Sequence, residues 1–290
     1  MTGGLNPLSL LSSILLGLIQ GLAEFLPISS SGHLALFQTF FGMENMEEKY
    51  MFFTVLLHFG TLISVCMVYW RDIVDMIREF FLGIAALAGR KDTGVAPPPA
   101  RRMVMLIIIA TVPLFVMVFL QDAVNQLFSN SIMVSCALLA TGFILFFSDR
   151  MARGHKTAKN ATVADALIVG CGQALAVIPG LSRSGTTISV GMMRGFDRAF
   201  AVRFSFLMSL PAVLGANVLE IKDALASNFP IEELPMYLVG VAVSAVVGYF
   251  AIRLVKSLSD KGKFGKFAYY CWAVGLGSLV AGIVKMMLLK

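Results

Sequence analysis

Apolar residues run through this chain in long blocks, and polar residues collect in the gaps between them. Blocks over residues 52–70, 103–120, 132–147, 200–219, 236–252 and 267–288 approach the ~20 apolar residues that a membrane-crossing helix needs. They predict six spans. Residues 73–87 mix Asp75, Arg78 and Glu79 into an apolar stretch, which predicts an amphipathic helix lying at a membrane interface. Two other apolar stretches are interrupted. Each breaks at a Pro and continues into a Ser/Gly-rich turn.

The interrupted stretches are related. Residues 17–32 read GLIQGLAEFLPISSSG, and 153 residues later 170–185 read GCGQALAVIPGLSRSG. Seven of the sixteen columns are identical: Gly17/Gly170, Gln20/Gln173, Leu22/Leu175, Ala23/Ala176, Ser29/Ser182, Ser31/Ser184 and Gly32/Gly185. Ordinary composition gives roughly one or two matches. Paired broken helices in the two halves of a membrane protein point to its functional site.

Loop charge supplies the topology. The connections 89–102, 148–160 and 253–266 are rich in Lys and Arg, so the positive-inside bias puts them in the cytoplasm. The connections 42–50 (Glu44, Glu47, Glu48), 121–131 and 220–235 are acidic or nearly neutral and go outside. Between Asn160 and Arg198, both inside, the number of crossings must be even. The second broken stretch therefore dips in and returns. The same count makes the first one dip from the opposite face. The expected fold is an all-α polytopic membrane protein. It has an inverted-topology repeat of residues 1–160 and 161–290, with six transmembrane helices and two re-entrant hairpins meeting near mid-membrane. Non-helical backbone at that depth needs protein or a wet cavity around it.

Composition narrows the classes. The chain is 58% hydrophobic and 14% charged, with a mean hydropathy of +0.83. That leaves no room for a soluble domain between the blocks. The net charge of +6 belongs to the loops, so nucleic-acid binding is not expected. No Lys or Arg precedes the apolar run at 8–19, a poor match to a cleaved signal peptide. Cys66, Cys136, Cys171 and Cys271 are scattered singly, with neither metal spacing nor a disulfide framework. The small-residue run 240–248 suits close helix packing, within one protomer or in a homodimer.

The broken stretches carry the candidate chemistry. Glu24 is a carboxylate in an apolar run, where insertion costs about 2.5–3.5 kcal/mol, so it needs a partner or a task. Gln20 lies one turn before it on the same face. Ser29, Ser30, Ser31 and Gly32 offer hydroxyl and backbone donors to an oxyanion. His33 follows at the start of the next helix and can move a proton near neutral pH. In the second turn Ser182, Ser184, Gly185 and Thr187 surround Arg183, whose planar fork suits phosphate. An ion pair between Arg183 and Glu24 is compatible with that role. His58 lies inside a span as either a core residue or a site residue. The inventory suits a phosphate-handling site inside a bilayer. A divalent cation bridging the carboxylate and the anion is expected.

These motifs resemble those of bacterial undecaprenyl-diphosphate phosphatases of the bacitracin-resistance type. The first motif is read on Gln20, Glu24, Pro27, Ile28, Ser29, Ser30, Ser31, Gly32 and His33. The second is read on Pro179, Gly180, Ser182, Arg183, Ser184, Gly185 and Thr187. Phe204, Ser205, Phe206, Leu207 and Pro211 also follow the pattern, so the resemblance spans essentially the whole chain. Many members carry Glu where this chain has Gln20.

The resemblance implies an inner-membrane enzyme with its site open to the extracytoplasmic side. It would hydrolyse undecaprenyl diphosphate to the monophosphate and inorganic phosphate. That recycles the lipid carrier for peptidoglycan synthesis and confers bacitracin resistance. The resemblance also implies a Mg2+ or Ca2+ requirement. Glu24 and Gln20 are expected to hold the cation, Arg183 with the Ser184 and Gly185 N–H groups to hold the transferred phosphate, and His33 and Ser30 to serve as base and hydroxyl. The residues leave open whether Ser30, His33 or water attacks. The competing class is a polyprenyl-phosphate transporter using the same pocket, because paired broken helices also mark transporters.

Overall fold

The computed structural model describes residues 9–41, 51–89, 97–120, 124, 130–226 and 233–288. Among these, twelve α-helices and no strand are present. The acidic connection with Glu44, Glu47 and Glu48 lies outside the described residues, as do parts of 89–102, 121–131 and 220–235.

The first half holds α1 (Leu10–Ala23), α2 (Ser30–Phe41), α3 (Met51–Val68), α4 (Trp70–Gly89), α5 (Pro99–Thr111), α6 (Leu114–Val118) and α7 (Ser131–Met151). The second holds α8 (Val163–Leu175), α9 (Arg183–Met193), α10 (Arg198–Ala226), α11 (Leu234–Asp260) and α12 (Phe267–Leu288). Five stretches are long and apolar enough to cross a membrane: Pro99–Val118, Ser131–Met151, Arg198–Val218, Leu234–Asp260 and Phe264–Leu288. The sixth expected span is α3. Its 18 residues reach about 27 Å at 1.5 Å per residue. α4 turns away from it by 88°, the direction of a helix lying along an interface. The fold is thus an all-α, polytopic membrane protein. The 103–120 block is a kinked span: α5 stops at Thr111, and Pro113 supplies no N–H to carry the ladder across.

α1 and α8, with 14 and 13 residues, are too short to cross. Each uses a glycine to lie against a span of the other half. A Cβ at Gly17 would strike the Gly240 carbonyl, and one at Gly21 the Ser244 carbonyl, so α1 runs parallel to α11. The 240–248 run is therefore spent on packing within the protomer. A Cβ at Gly170 would strike the backbone of Ala110. Arg102 bonds the Ala158 and Ala161 carbonyls, at 2.9 and 2.8 Å, so α8 runs parallel to α5.

The basic ends of the spans are stapled by charge. Asp165 closes a capping box with Thr162 and pairs with Lys156 and Arg194 at 2.8 and 2.9 Å. Burial pushes the Asp165 pKa up, but the hydrogen bonds from Lys156, Thr162 and Arg194 outweigh it and hold the carboxyl at about 2. Arg198 pairs with Asp149, whose second oxygen accepts the Gly265 N–H at 2.9 Å. These ties join α8 to the end of α9, and α10 to α7 and the turn before α12. Phe25, Phe196, Phe200, Phe204 and Phe206 fill the core beneath the site.

Candidate functional site

The two broken stretches build matching turns. α1 ends because Pro27 follows and cannot continue the ladder. Ser29 adopts φ 66, a left-handed conformation uncommon for a residue with a Cβ, and its hydroxyl accepts the Gly32 N–H at 3.2 Å. In the second turn Gly180 takes the left-handed conformation, at φ 95, and the Ser182 hydroxyl accepts the Gly185 N–H at 3.1 Å. The Ser29 and Ser31 hydroxyls lie 3.4 Å apart, as do those of Ser182 and Ser184.

The tips interlock through equivalent positions. A Cβ at Gly32 would lie 2.7 Å from the Gly180 Cα, and one at Gly185 would lie 3.1 Å from the Pro27 Cβ. Thr141 of α7 pins the second tip, donating to the Gly180 carbonyl at 2.9 Å and accepting the Ser182 N–H at 3.1 Å. Gly32→Ala must push the tips apart. It is expected to cost about 1–3 kcal/mol, seen as a lower thermal unfolding midpoint in detergent. An unchanged midpoint would show that the tips are loosely docked.

The matching turns carry unmatched chemistry. Arg183, first residue of α9, crosses to form an ion pair with Glu24 Oε1. The other oxygen, Oε2, accepts from Gln20 Nε2 and from Ser30 Oγ, each at 3.2 Å. The Glu24 side chain is 7% exposed and that of Arg183 is 25%. The carboxylate is therefore enclosed by three donors, while the guanidinium keeps donors facing open space.

That space is a cavity of about 260 Å³. Glu24, Ser29, Ser30, Ser31, Ser182 and Arg183 line it, as the sequence leads one to expect. Gln20, Gly32, His33, Ser184, Gly185 and Thr187 are not on its wall. Gln20 supports Glu24 from behind. The Gly32 and Gly185 N–H groups are taken by the cap hydroxyls, so these glycines serve close approach rather than ligand donation. Ser184 Oγ reaches the Leu26 carbonyl at 3.4 Å. Thr187 Oγ1 braces the Arg183 carbonyl at 2.8 Å and Ser205 Oγ at 2.6 Å.

Both ring nitrogens of His33 are engaged. Nδ1 donates to the Ser29 carbonyl at 2.8 Å, and Nε2 accepts from the Tyr270 hydroxyl at 2.9 Å, with the two rings stacked. In this state His33 holds Ser29 in its unusual conformation and ties the turn to α12.

Three further polar residues lie on the wall: His58, which the sequence left open between core and site, and Gln173 and Asn217, which were not among the expected site residues. Each is a polar residue in an apolar helix, which is the sequence signal for them. The His58 Nδ1 donates to the Thr54 carbonyl at 2.9 Å, which leaves Nε2 as the free nitrogen.

Among the described residues no three His, Cys, Asp or Glu side chains form a metal cluster. The oxygen donors at this point are the Glu24 carboxylate on the wall and the amide of Gln20 one turn behind it. That donor set fits Mg2+ or Ca2+ held partly by substrate phosphates and water, not a closed protein cage.

The family profile described as "Bacitracin resistance protein BacA" matches residues 13–277. A protein of Methanosphaera stadtmanae is 38% identical over 281 residues, covering 96% of this chain and 99% of its own length. One of Alkaliphilus metalliredigens is 42% identical over 264 residues, covering 91% and 95%. One of Halothermothrix orenii is 40% identical over 272 residues, covering 93% and 97%. All three are named undecaprenyl-diphosphatase. The profile match runs through both turns and into α12, and the chain belongs to the bacitracin resistance protein family.

Proposed function

We propose that this protein is a membrane phosphatase that hydrolyses undecaprenyl diphosphate to undecaprenyl phosphate and inorganic phosphate. By returning the lipid carrier to cell-wall synthesis it would confer bacitracin resistance. The observation that carries this reading is the Arg183–Glu24–Ser30 arrangement on the wall of the cavity. A transporter needs an anion site. A hydroxyl held against a buried carboxylate beside an arginine is what phosphoryl transfer needs.

In the proposed mechanism Arg183 draws the terminal phosphate against the Ser29–Ser31 and Ser182 hydroxyls. Glu24 Oε2 accepts the Ser30 proton, and Ser30 Oγ attacks the terminal phosphorus. The bond from that phosphorus to the bridging oxygen breaks, and the lipid monophosphate leaves with the electron pair. Water then hydrolyses the phosphoserine, and Ser30 recovers its proton. His33 keeps the turn in position through Ser29. A divalent cation held by Glu24 and Gln20 would neutralise charge on the diphosphate.

Residues 1–160 and 161–290 are read as inverted repeats. The exchange of α1 onto α11 and α8 onto α5, and of Gly32 onto Gly180 and Gly185 onto Pro27, supports that reading. With the basic connections in the cytoplasm, His58, Leu114 and Asn217 all fall in the outer halves of their spans. This supports an inner-membrane protein whose cavity opens to the extracytoplasmic side.

The test is inorganic phosphate release from a polyprenyl diphosphate by purified protein, with and without EDTA. Release that falls at least tenfold in EDTA and returns with Mg2+ or Ca2+ is expected. No release from folded wild-type protein would remove the phosphatase reading and favour lipid transport.

A further inference from the structure

A second polar corner of the cavity takes no part in the chemistry above. Gln173 of α8 is 1% exposed, lines the cavity, and neither its amide nitrogen nor its amide oxygen has a partner. Asn217 of α10 is 2% exposed, lines the same cavity, and its Nδ2 has no partner. Buried amides left unpaired are rare and costly, and two such amides on residues that line one cavity point to a ligand that pairs them.

The repeat explains how Gln173 came to be unpaired. Its counterpart Gln20 donates to Glu24 one turn later. In the second copy the Glu24 column holds Val177. The carboxylate is gone and the amide is kept.

We infer that Gln173 and Asn217 form a subsite for the lipid-linked phosphate of the diphosphate, with the prenyl chain leaving the cavity between α8 and α10. This rests on the phosphatase reading of the same site. The charged corner, with Arg183, suits the terminal phosphate, which carries more charge. Neutral amide donors suit the inner phosphate, which carries less. Water or a P–OH of that group would satisfy Gln173 Oε1. The wall next to these amides is apolar and comes from Ala176 and Val177 in the turn that ends α8 and from Ala212 and Val213 of α10, with Leu114 of α6 beside them. That wall is open on the α10 side: Ala216 lines the cavity yet is exposed, and a Cβ at Gly215 would meet nothing within 4 Å. An apolar chain attached to the inner phosphate would leave by this route.

The experiment uses farnesyl diphosphate as substrate. Farnesyl phosphate and inorganic phosphate serve as inhibitors, with wild type, Gln173→Met and Asn217→Leu compared. Each variant is expected to raise the KM and the farnesyl phosphate inhibition constant together by about tenfold, the loss of one hydrogen bond to a charged group. Inhibition by inorganic phosphate should not move. The Gln173→Met melting temperature should hold or rise, because an unpaired amide is replaced by an apolar side chain of similar length. An unmoved farnesyl phosphate constant, or a shift in the inorganic phosphate constant instead, overturns the assignment. So does a Gln173→Met protein without a folding transition, because the amide would then be structural. If wild type turns over no diphosphate, the phosphatase reading falls. Direct titration of farnesyl phosphate into wild type and both variants then decides the subsite alone.

Discussion

Arg183→Ala is expected to lower phosphate release by about a hundredfold to a thousandfold, the usual loss when a donor to developing transition-state charge is removed. Arg183 is the sole guanidinium on the cavity wall, so no described residue can replace it there. The same substitution strands Glu24, 7% exposed, without its counter-charge. Breaking a buried pair in this way costs about 3–5 kcal/mol. The cost here should fall toward the lower end, because Arg183 is a quarter exposed and Glu24 can take up a proton. Loss of activity alone would therefore mix two causes. The double variant Glu24→Gln/Arg183→Ala separates them: its melting temperature should recover toward wild type while its activity stays lost. Near-normal turnover in a folded Arg183→Ala protein would remove Arg183 from the mechanism. Arg183→Lys keeps the charge but loses the fork, and should recover only part of the rate.

Glu24→Gln should cut turnover by about 10²–10⁴, the contribution of a positioned general base. An amide keeps the shape and can still contact Ser30 and Gln20, but it cannot accept the Ser30 proton. The stability cost should be smaller than for Arg183→Ala. The group left unpaired is then the partly exposed guanidinium, which water can reach, and not the enclosed carboxylate. Acid-quenched wild-type protein should carry a phosphoserine at Ser30, and Glu24→Gln should carry much less. Turnover of Glu24→Gln above a tenth of wild type would deny the carboxylate its role as base. Wild-type turnover without phosphoserine would transfer the attack to a water held by the same pair.

The spans were legible because apolar length is a one-dimensional property: a helix crossing a bilayer must present about 20 apolar residues in a row. The two turns were legible because a repeated Pro–Ser–Gly pattern interrupts two such runs at a fixed offset. Glu24 and Arg183 stood out because charge inside an apolar run is costly wherever the chain folds. Those features follow from local composition, and each was found in place.

Partnership is different, because it depends on which helix lies beside which. In the sequence His33 read as a proton carrier at a helix start, and His58 as either a core or a site residue. Only the packing of α12 takes up His33 through Tyr270, and only the packing of α3 puts His58 on the cavity wall. Gly32 and Gly185 looked like phosphate cradles. The cap hydroxyls claim their N–H groups, and the crossing of the two tips requires their missing Cβ atoms. Gln20 and Gln173 occupy one repeat column, yet one is paired and the other is not, because Glu24 follows the first and Val177 the second. The sequence by itself determined that a polar, phosphate-suited centre lies inside a bundle of apolar helices. The tertiary structure decided which donors remain free to meet a ligand, since a hydrogen-bonding group is available only when its neighbours in space have not already used it.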